Sequence, residues 1–508
     1  MILKCLPRSH RYTFFFSVIG IFTLLLTGLQ VFLTAELLGD SYQYICYVHP
    51  SCPEPLLPDR ISTYYAYFLV HKLAYLIKNP SLSFRLVTTI FFFICAISTA
   101  ASTAIYSPRG KLTIFFVALT LFCVLPGVSS TFSSLYPTAI SATFLSTIFL
   151  TLCLSKSKLK YFRLINTYFA LFTICAVLLV ISKSTSIIPG LFLFLVIANT
   201  PNVQVYLPNK RSLGAPLLFF SMLVIFILIF YAFVYEQGNA NLILESFEKQ
   251  YYGRYGMVPQ ETLIQSLLLR FPPVIFFIKE PIILLSFASV CFLIKSRING
   301  IESDLKPILF LQLITCALYL LQLIFIYIVT ARSGPPILNY ITEPLVLITP
   351  ILTITIRQSL RNFYLLIACS SIAFTICLLT FIHHTSAWSV LQTISIRESA
   401  LYQLRLSNLL IIPFGVALAL RQANAHFVIP SRAKSIGLSL LLLFMCFDLS
   451  FVAIHEMLWR RNLAYAFDQS SNSNQLFHFY PELTGRKNYL RYLDEHHRQR
   501  FSVLSLYP

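Results

Sequence analysis

One feature repeats from Tyr12 to Glu456: apolar runs of membrane-spanning length, separated by short polar segments, with no polar break of domain size. A helix needs about 20 apolar residues to cross a hydrocarbon core of roughly 30 Å, and within lipid its backbone hydrogen bonds must close inside the segment. The pattern predicts an all-α, polytopic transmembrane protein of about thirteen spans. They lie near 12–33, 85–106, 112–128, 138–154, 164–182, 187–200, 215–235, 274–294, 307–329, 337–356, 363–382, 407–420 and 436–456. Prolines 189, 273, 281, 350 and 413 fall in or at the edge of these runs. The expected organisation is a transmembrane domain over 1–456 and a polar C-terminal tail over 457–508. The run after Arg11 is too long for a signal-peptide core and lacks a small-residue cleavage site, so it reads as a first anchor.

Composition excludes the soluble alternatives. Hydrophobic residues make up 57% of 508 and charged residues 11%, against about 25% charged in soluble domains. The net charge of +19 is spread as short basic clusters between apolar runs, with no basic domain or arm. That distribution encodes topology and excludes a nucleic-acid partner.

With the N-terminus in the cytoplasm, the cytoplasmic segments collect Lys4, Arg8 and Arg11; Arg109 and Lys111; Lys156, Lys158, Lys160 and Arg163; Lys210 and Arg211; Lys295, Arg297 and Lys306; Arg357 and Arg361; and Arg421, Arg432 and Lys434. Their only acids are Glu302 and Asp304. Every short loop on one side is thus basic, which places the C-terminus outside. The long segments, about 34–84, 236–273, 383–406 and the tail, fall on the outer side. Function concentrates on loops held by a rigid scaffold, so the outer face is where a site is expected.

The first outer loop is the richest of these. Glu36-Leu-Leu-Gly39-Asp40-Ser41-Tyr42-Gln43-Tyr44 follows the first span, then a proline-rich stretch to Asp59-Arg60. From Tyr64 to Lys78, Tyr64, Tyr65, Phe68, Leu69, Leu73, Leu76 and Ile77 recur at helical spacing beside His71, Lys72 and Lys78. That pattern predicts an amphipathic helix at the interface.

An acid just outside the first span, a loop, an interfacial helix and a second span together resemble the GT-C superfamily of polytopic glycosyltransferases. Gly39-Asp40-Ser41 with Tyr42 and Tyr44 looks like that family's acidic loop motif. Two further stretches resemble the family's pattern. One is Ile181-Ser-Lys183-Ser-Thr-Ser-Ile-Ile-Pro189, a Lys-Ser-Thr break between two spans, and the other is Ala331-Arg332-Ser-Gly-Pro335-Pro336 ahead of a late span. The likeness covers the span order of about 1–360. It implies transfer of a sugar from a polyprenyl-phosphate carrier to a glycan, lipid or protein acceptor on the outer face of a membrane, here a bacterial inner membrane. It also implies a catalytic role for Asp40 and a substrate role for Tyr42 and Tyr44. The outer loop after the third span, Ser129 to Thr138, departs from the pattern: it has no carboxylate, and so no second acid with which to hold a metal between two outer loops.

The chemistry asks for such residues. Glycosyl transfer passes through an oxocarbenium-like centre, needs a base for the acceptor hydroxyl and needs positive charge on the departing phosphate. Asp40 is the expected base. Lys183, Arg332, Arg270 and Lys279 are the expected phosphate-binding cations at the outer interface, Arg through its planar fork and Lys as a point charge. An interfacial Lys or Arg also snorkels with no substrate role.

Other polar residues carry two readings each. Asp448 and Glu343 lie within or at the start of spans, where an ionisable residue is functional or paired by default. His383-His384 are adjacent and have no Cys or acid nearby, which argues against a metal. Nine cysteines, Cys95, Cys123, Cys153, Cys175, Cys291, Cys316, Cys369, Cys377 and Cys446, lie in spans and read as small packing residues. Cys46 and Cys52 lie in the first outer loop, flanked by prolines, and on an oxidising side they form a candidate disulfide. No phosphate-binding glycine loop, dinucleotide fingerprint, zinc spacing or nucleophile elbow is present, and no cofactor is expected. Two alternatives to the transferase stay open: a transporter or flippase for a lipid-linked or anionic solute, which would favour an internal repeat that is not seen, and an O-antigen-type polymerase or ligase.

Overall fold

A computed structural model describes residues 8–35, 60–107, 110–124, 128–133, 135–156, 165–199, 214–236, 305–329 and 342–359. These residues form helices, with no strand among them. In chain order the helices are α1 (Arg8–Thr34), α2 (Ile61–Ile77), α3 (Pro80–Tyr106), α4 (Lys111–Val124), α5 (Val128–Ser133), α6 (Pro137–Lys156), α7 (Ile165–Val180), α8 (Ser184–Asn199), α9 (Gly214–Glu236), α10 (Lys306–Val329) and α11 (Thr342–Ser359). Leu82–Tyr106, Pro137–Ser155 and Lys306–Ile324 are long and apolar enough to cross a membrane, and six shorter apolar stretches accompany them. The expected spans at 274–294, 363–382, 407–420 and 436–456, and the tail, lie outside the described residues.

Local chemistry starts and stops these helices. α2 ends where Lys78 turns into the left-handed region at φ 55°. Asn79 then caps α3 at once: its side chain accepts from the Leu82 N–H at 3.0 Å, and Pro80 occupies the first helical position, where its missing N–H costs nothing. Buried serines and threonines are frequent in α3 and α6. Many of their hydroxyls donate back to a carbonyl three or four residues earlier, as Thr103 does to Thr99 and Ser146 to Thr143. Satisfied in this way, small polar residues let helices approach closely where lipid offers no hydrophobic drive.

The direction of each helix follows from its cross-contacts. Thr13 bonds Thr113 at 2.9 Å, and further along a Cβ on Gly20 would meet Phe116 at 3.0 Å, so α1 and α4 run parallel. The Thr143 hydroxyl of α6 donates to the Phe91 carbonyl of α3 at 3.3 Å. Tyr106 at the far end of α3 donates to Gln312, near the start of α10, at 2.9 Å. Tyr319, further along α10, reaches Ser186 at the start of α8 at 3.1 Å. The ends therefore sort into two groups: Tyr106, Thr113 and Gln312 at one end, and Arg60, Ser141, Lys183 and Thr342 towards the other. This is the alternation the loop charges predict, and the second group is the predicted outer end.

Aromatic rings fill the interior between α2, α3, α4 and α5. Phe92 lies 5.7 Å from Phe132 and 6.2 Å from Phe122, and Tyr67 lies 6.1 Å from Phe84, centroid to centroid. Apolar side chains also cover the outside. Phe14, Val18, Ile21, Phe22, Leu25 and Leu29 form an exposed stripe along α1, and Leu217, Phe220, Val224, Leu228 and Ile229 form another on α9. The large exposed apolar patches that a soluble monomer avoids are what a bilayer covers. The cysteines predicted to pack in spans do so wherever they are described: Cys95, Cys123, Cys153, Cys175 and Cys316 are buried thiols.

Candidate functional site

The predicted interfacial helix α2 is anchored by its first turn, and that turn builds the site. The last carbonyls of α7 and the first donors of α2 lack partners within their own helices, and here they satisfy one another. The Ser62 N–H donates to the Ile181 carbonyl at 3.0 Å, the Ser62 hydroxyl donates to the Leu178 carbonyl, and the Thr63 hydroxyl donates to the Ser182 carbonyl at 3.3 Å. Ile61, Tyr64, Tyr67, Val70 and Ala74 bury one face of α2, while Leu69, Tyr75 and Leu76 stay exposed. Tyr65 donates to the Phe226 carbonyl of α9 at 2.5 Å, and Tyr67 donates to the Leu135 carbonyl at 3.3 Å. Leu135 itself sits at φ 46°, a left-handed conformation costly for leucine, and its N–H is tied to the Phe132 carbonyl at 2.9 Å.

Lys183 occupies the break that this anchoring holds. It lies between α7 and α8, and its carbonyl accepts from the Ser186 N–H at 2.9 Å. Its ammonium forms an ion pair with the Glu343 carboxylate at 2.5 Å, and both side chains are buried, at 6% and 0% exposure. The Ser141 hydroxyl of α6 donates to the same oxygen, Glu343 Oε1. One residue before Glu343, Thr342 bonds Thr131 of α5 at 3.1 Å. Burial pulls the Lys183 ammonium below its ordinary pKa, Glu343 opposes that pull, and Arg60 at the start of α2 adds a like charge that reinforces it. Five elements thus converge: the start of α2, α5, the start of α6, the α7–α8 break and the start of α11.

Of the residues singled out from sequence, Lys183 and Glu343 are brought together here. Neither the spacing along the chain nor the composition links them, and sequence reasoning treated them separately. The carboxylate missing from the Ser129–Thr138 loop is supplied beside it in space by Glu343. Arg60 carried no signal beyond its position at the end of the proline-rich stretch. Asp40, Tyr42, Tyr44, Cys46, Cys52, Arg270, Lys279, Arg332, His383, His384 and Asp448 lie outside the described residues. Among the described residues, no three His, Cys, Asp or Glu side chains converge as a metal-ligand set.

No protein-family model matches the chain, and no curated relative does. Solved structures do. The crystal structure of ArnT from Cupriavidus metallidurans bound to undecaprenyl phosphate superposes with a TM-score of 0.50 at 12% identity, over 89% of this chain and 79% of that one. The apo structure of the same protein gives a TM-score of 0.46 at 11% identity, over 88% and 78%. The fold of this chain is similar to that of ArnT, in keeping with the GT-C resemblance read from the sequence.

Proposed function

We propose that the chain is a membrane glycosyltransferase that moves a sugar from a polyprenyl-phosphate carrier to a glycan, lipid or protein acceptor on the outer face of a bacterial inner membrane. One observation carries the reading. In a bundle with the fold of ArnT, a buried Lys183–Glu343 pair lies at the predicted outer end with Arg60 beside it. In the sequence, Arg60 closes the first outer loop, which bears Asp40. The likeness to a protein solved with undecaprenyl phosphate supports a lipid phosphate as the carrier.

The reaction divides among several residues. Asp40 takes the proton of the acceptor hydroxyl as its oxygen attacks the anomeric carbon. The bond from that carbon to the phosphate oxygen breaks, and the polyprenyl phosphate leaves with the electron pair. Lys183, Arg332, Arg270 and Lys279 neutralise the charge that develops on it. Tyr42 and Tyr44 flank the sugar, and a Cys46–Cys52 disulfide stiffens the loop behind Asp40. The transmembrane domain over 1–456 holds these groups, with the N-terminus in the cytoplasm and the 457–508 tail outside.

Asp40→Asn removes the base and keeps the shape. It should lower transfer from a polyprenyl-phosphate sugar by about 10²–10⁴-fold, with expression and donor binding retained. Glu36→Gln, one helical turn earlier, should cost little. Full activity in Asp40→Asn with loss in Glu36→Gln would mean the base is the other carboxylate. If neither substitution mattered and the protein moved a solute across vesicles, the transporter reading would replace this one.

A further inference from the structure

We propose that Glu343 is a positioning residue, which holds Lys183 as a cation until the phosphate of a lipid carrier takes over the ammonium. The inference rests on the glycosyltransferase reading and extends it to a residue that reading does not use.

The geometry separates this pair from a saturated structural ion pair. Buried charges are stable when every lone pair and proton is matched. Here one carboxylate oxygen, Glu343 Oε1, receives both the Lys183 ammonium and the Ser141 hydroxyl. The second oxygen, Oε2, is buried and has no hydrogen-bond partner among the described residues. The backbone around Lys183 is fixed on one side by the α2–α7 bonds and on the other by the start of α8. A rigid base thus carries a flexible four-carbon stem whose head pairs with one oxygen of a carboxylate whose other oxygen stays unbonded, which suits an ammonium that exchanges one anion for another. Ser141 stays with the carboxylate when the ammonium leaves it.

Charge makes the carboxylate necessary. Burial pulls the pKa of the Lys183 ammonium down, and Glu343 is the opposing influence. A neutral amine binds phosphate poorly. Among the described residues, the other titratable groups that face the pair are Arg60 from the start of α2, which disfavours the charge on Lys183, Tyr319 from α10 and Cys95 from α3, both within electrostatic range of Glu343. Without Glu343 the pKa of Lys183 falls further, so its charge, and with it the phosphate contact, is lost as pH rises through the lowered value.

The test is binding of undecaprenyl phosphate to the full-length protein in detergent, measured across roughly pH 6 to 10, below the ordinary lysine value. Wild type should lose affinity only towards the alkaline end. Glu343→Gln should bind at the acid end and lose at least about tenfold in affinity as pH rises, because its amine deprotonates earlier. The double variant Glu343→Gln with Lys183→Arg should be flat, since arginine stays charged. A Glu343→Gln profile parallel to wild type at every pH would overturn the proposal and leave the glycosyltransferase reading standing. A wild type that binds no undecaprenyl phosphate at any pH would remove that reading, and this inference with it. Should Glu343→Gln fail to fold, Lys183→Arg alone decides: loss of the wild-type alkaline limb supports the proposal, and an unchanged limb overturns it.

Discussion

Lys183 illustrates how one side chain changes meaning with its surroundings. Along the chain it is a cation at a span end, free to snorkel towards headgroups. In the fold it is 5% exposed and faces a carboxylate from a helix far along the sequence. Removing one partner of a buried pair leaves the other charge without compensation and typically costs about 3–5 kcal/mol, whereas removing both is far cheaper. Lys183→Met should therefore lower the melting temperature of the detergent-solubilised protein strongly, and adding Glu343→Gln should restore most of the loss. Equal melting temperatures for the single and double variants would show that the two side chains are not coupled.

Among the elements, the junction of α7 and α8 sets where that side chain stands. The two helices turn back on each other within three residues, and Gly190 allows their close approach. A Cβ there would lie 2.7 Å from Val180 Cγ2, with the Val180 backbone nitrogen 3.5 Å away. Valine is short and stiff at χ1, so it cannot swing aside. Gly190→Val should cost about 1–3 kcal/mol by overpacking, read as a lower melting temperature, and it should also displace the break that carries Lys183. Ile188→Val, on the exposed side of the same helix, is the control and should change little. α2 shows the same dependence on a neighbour. Its exposed residues Leu69, Tyr75 and Leu76 fit an interfacial helix, but its position comes from the carbonyls of α7 that its first turn satisfies.

At the scale of the whole molecule, the described helices alternate between two ends. α9 finishes at the end where Phe230 meets Tyr64, with ring centroids 5.0 Å apart, and α10 begins at the other, beside Tyr106. The basic loops predict that one of those ends faces the cytoplasm. Reporter fusions after Lys160 and Arg361 should accordingly give a cytoplasmic signal, and fusions after Glu261 and Asp468 an external one. A cytoplasmic signal from the Asp468 fusion would remove the thirteen-span arrangement, although it would leave the alternation of the described helices between two ends as it is.

Class, helix positions and their alternation were legible in the residues because each rests on local or additive physics. Twenty apolar residues in lipid must close their own hydrogen bonds, and loop charge is read segment by segment. α1, α3, α4, α6, α7, α8, α9 and α10 therefore fall close to the apolar runs from which they were expected. α11, described from Thr342, overlaps the run expected over 337–356. Asp40 was legible as a candidate through its motif alone, and its role stays a proposal. The pairing of Lys183 with Glu343, the capping of α7 by α2 and the supply of a carboxylate to the Ser129–Thr138 region were not legible. Each joins residues that only packing brings together, and in a chain rich in interchangeable Leu, Ile and Phe nothing in the local pattern names which helix will lie beside which. Tertiary structure decided those neighbours through a few polar groups that, once taken out of water, had to find one another.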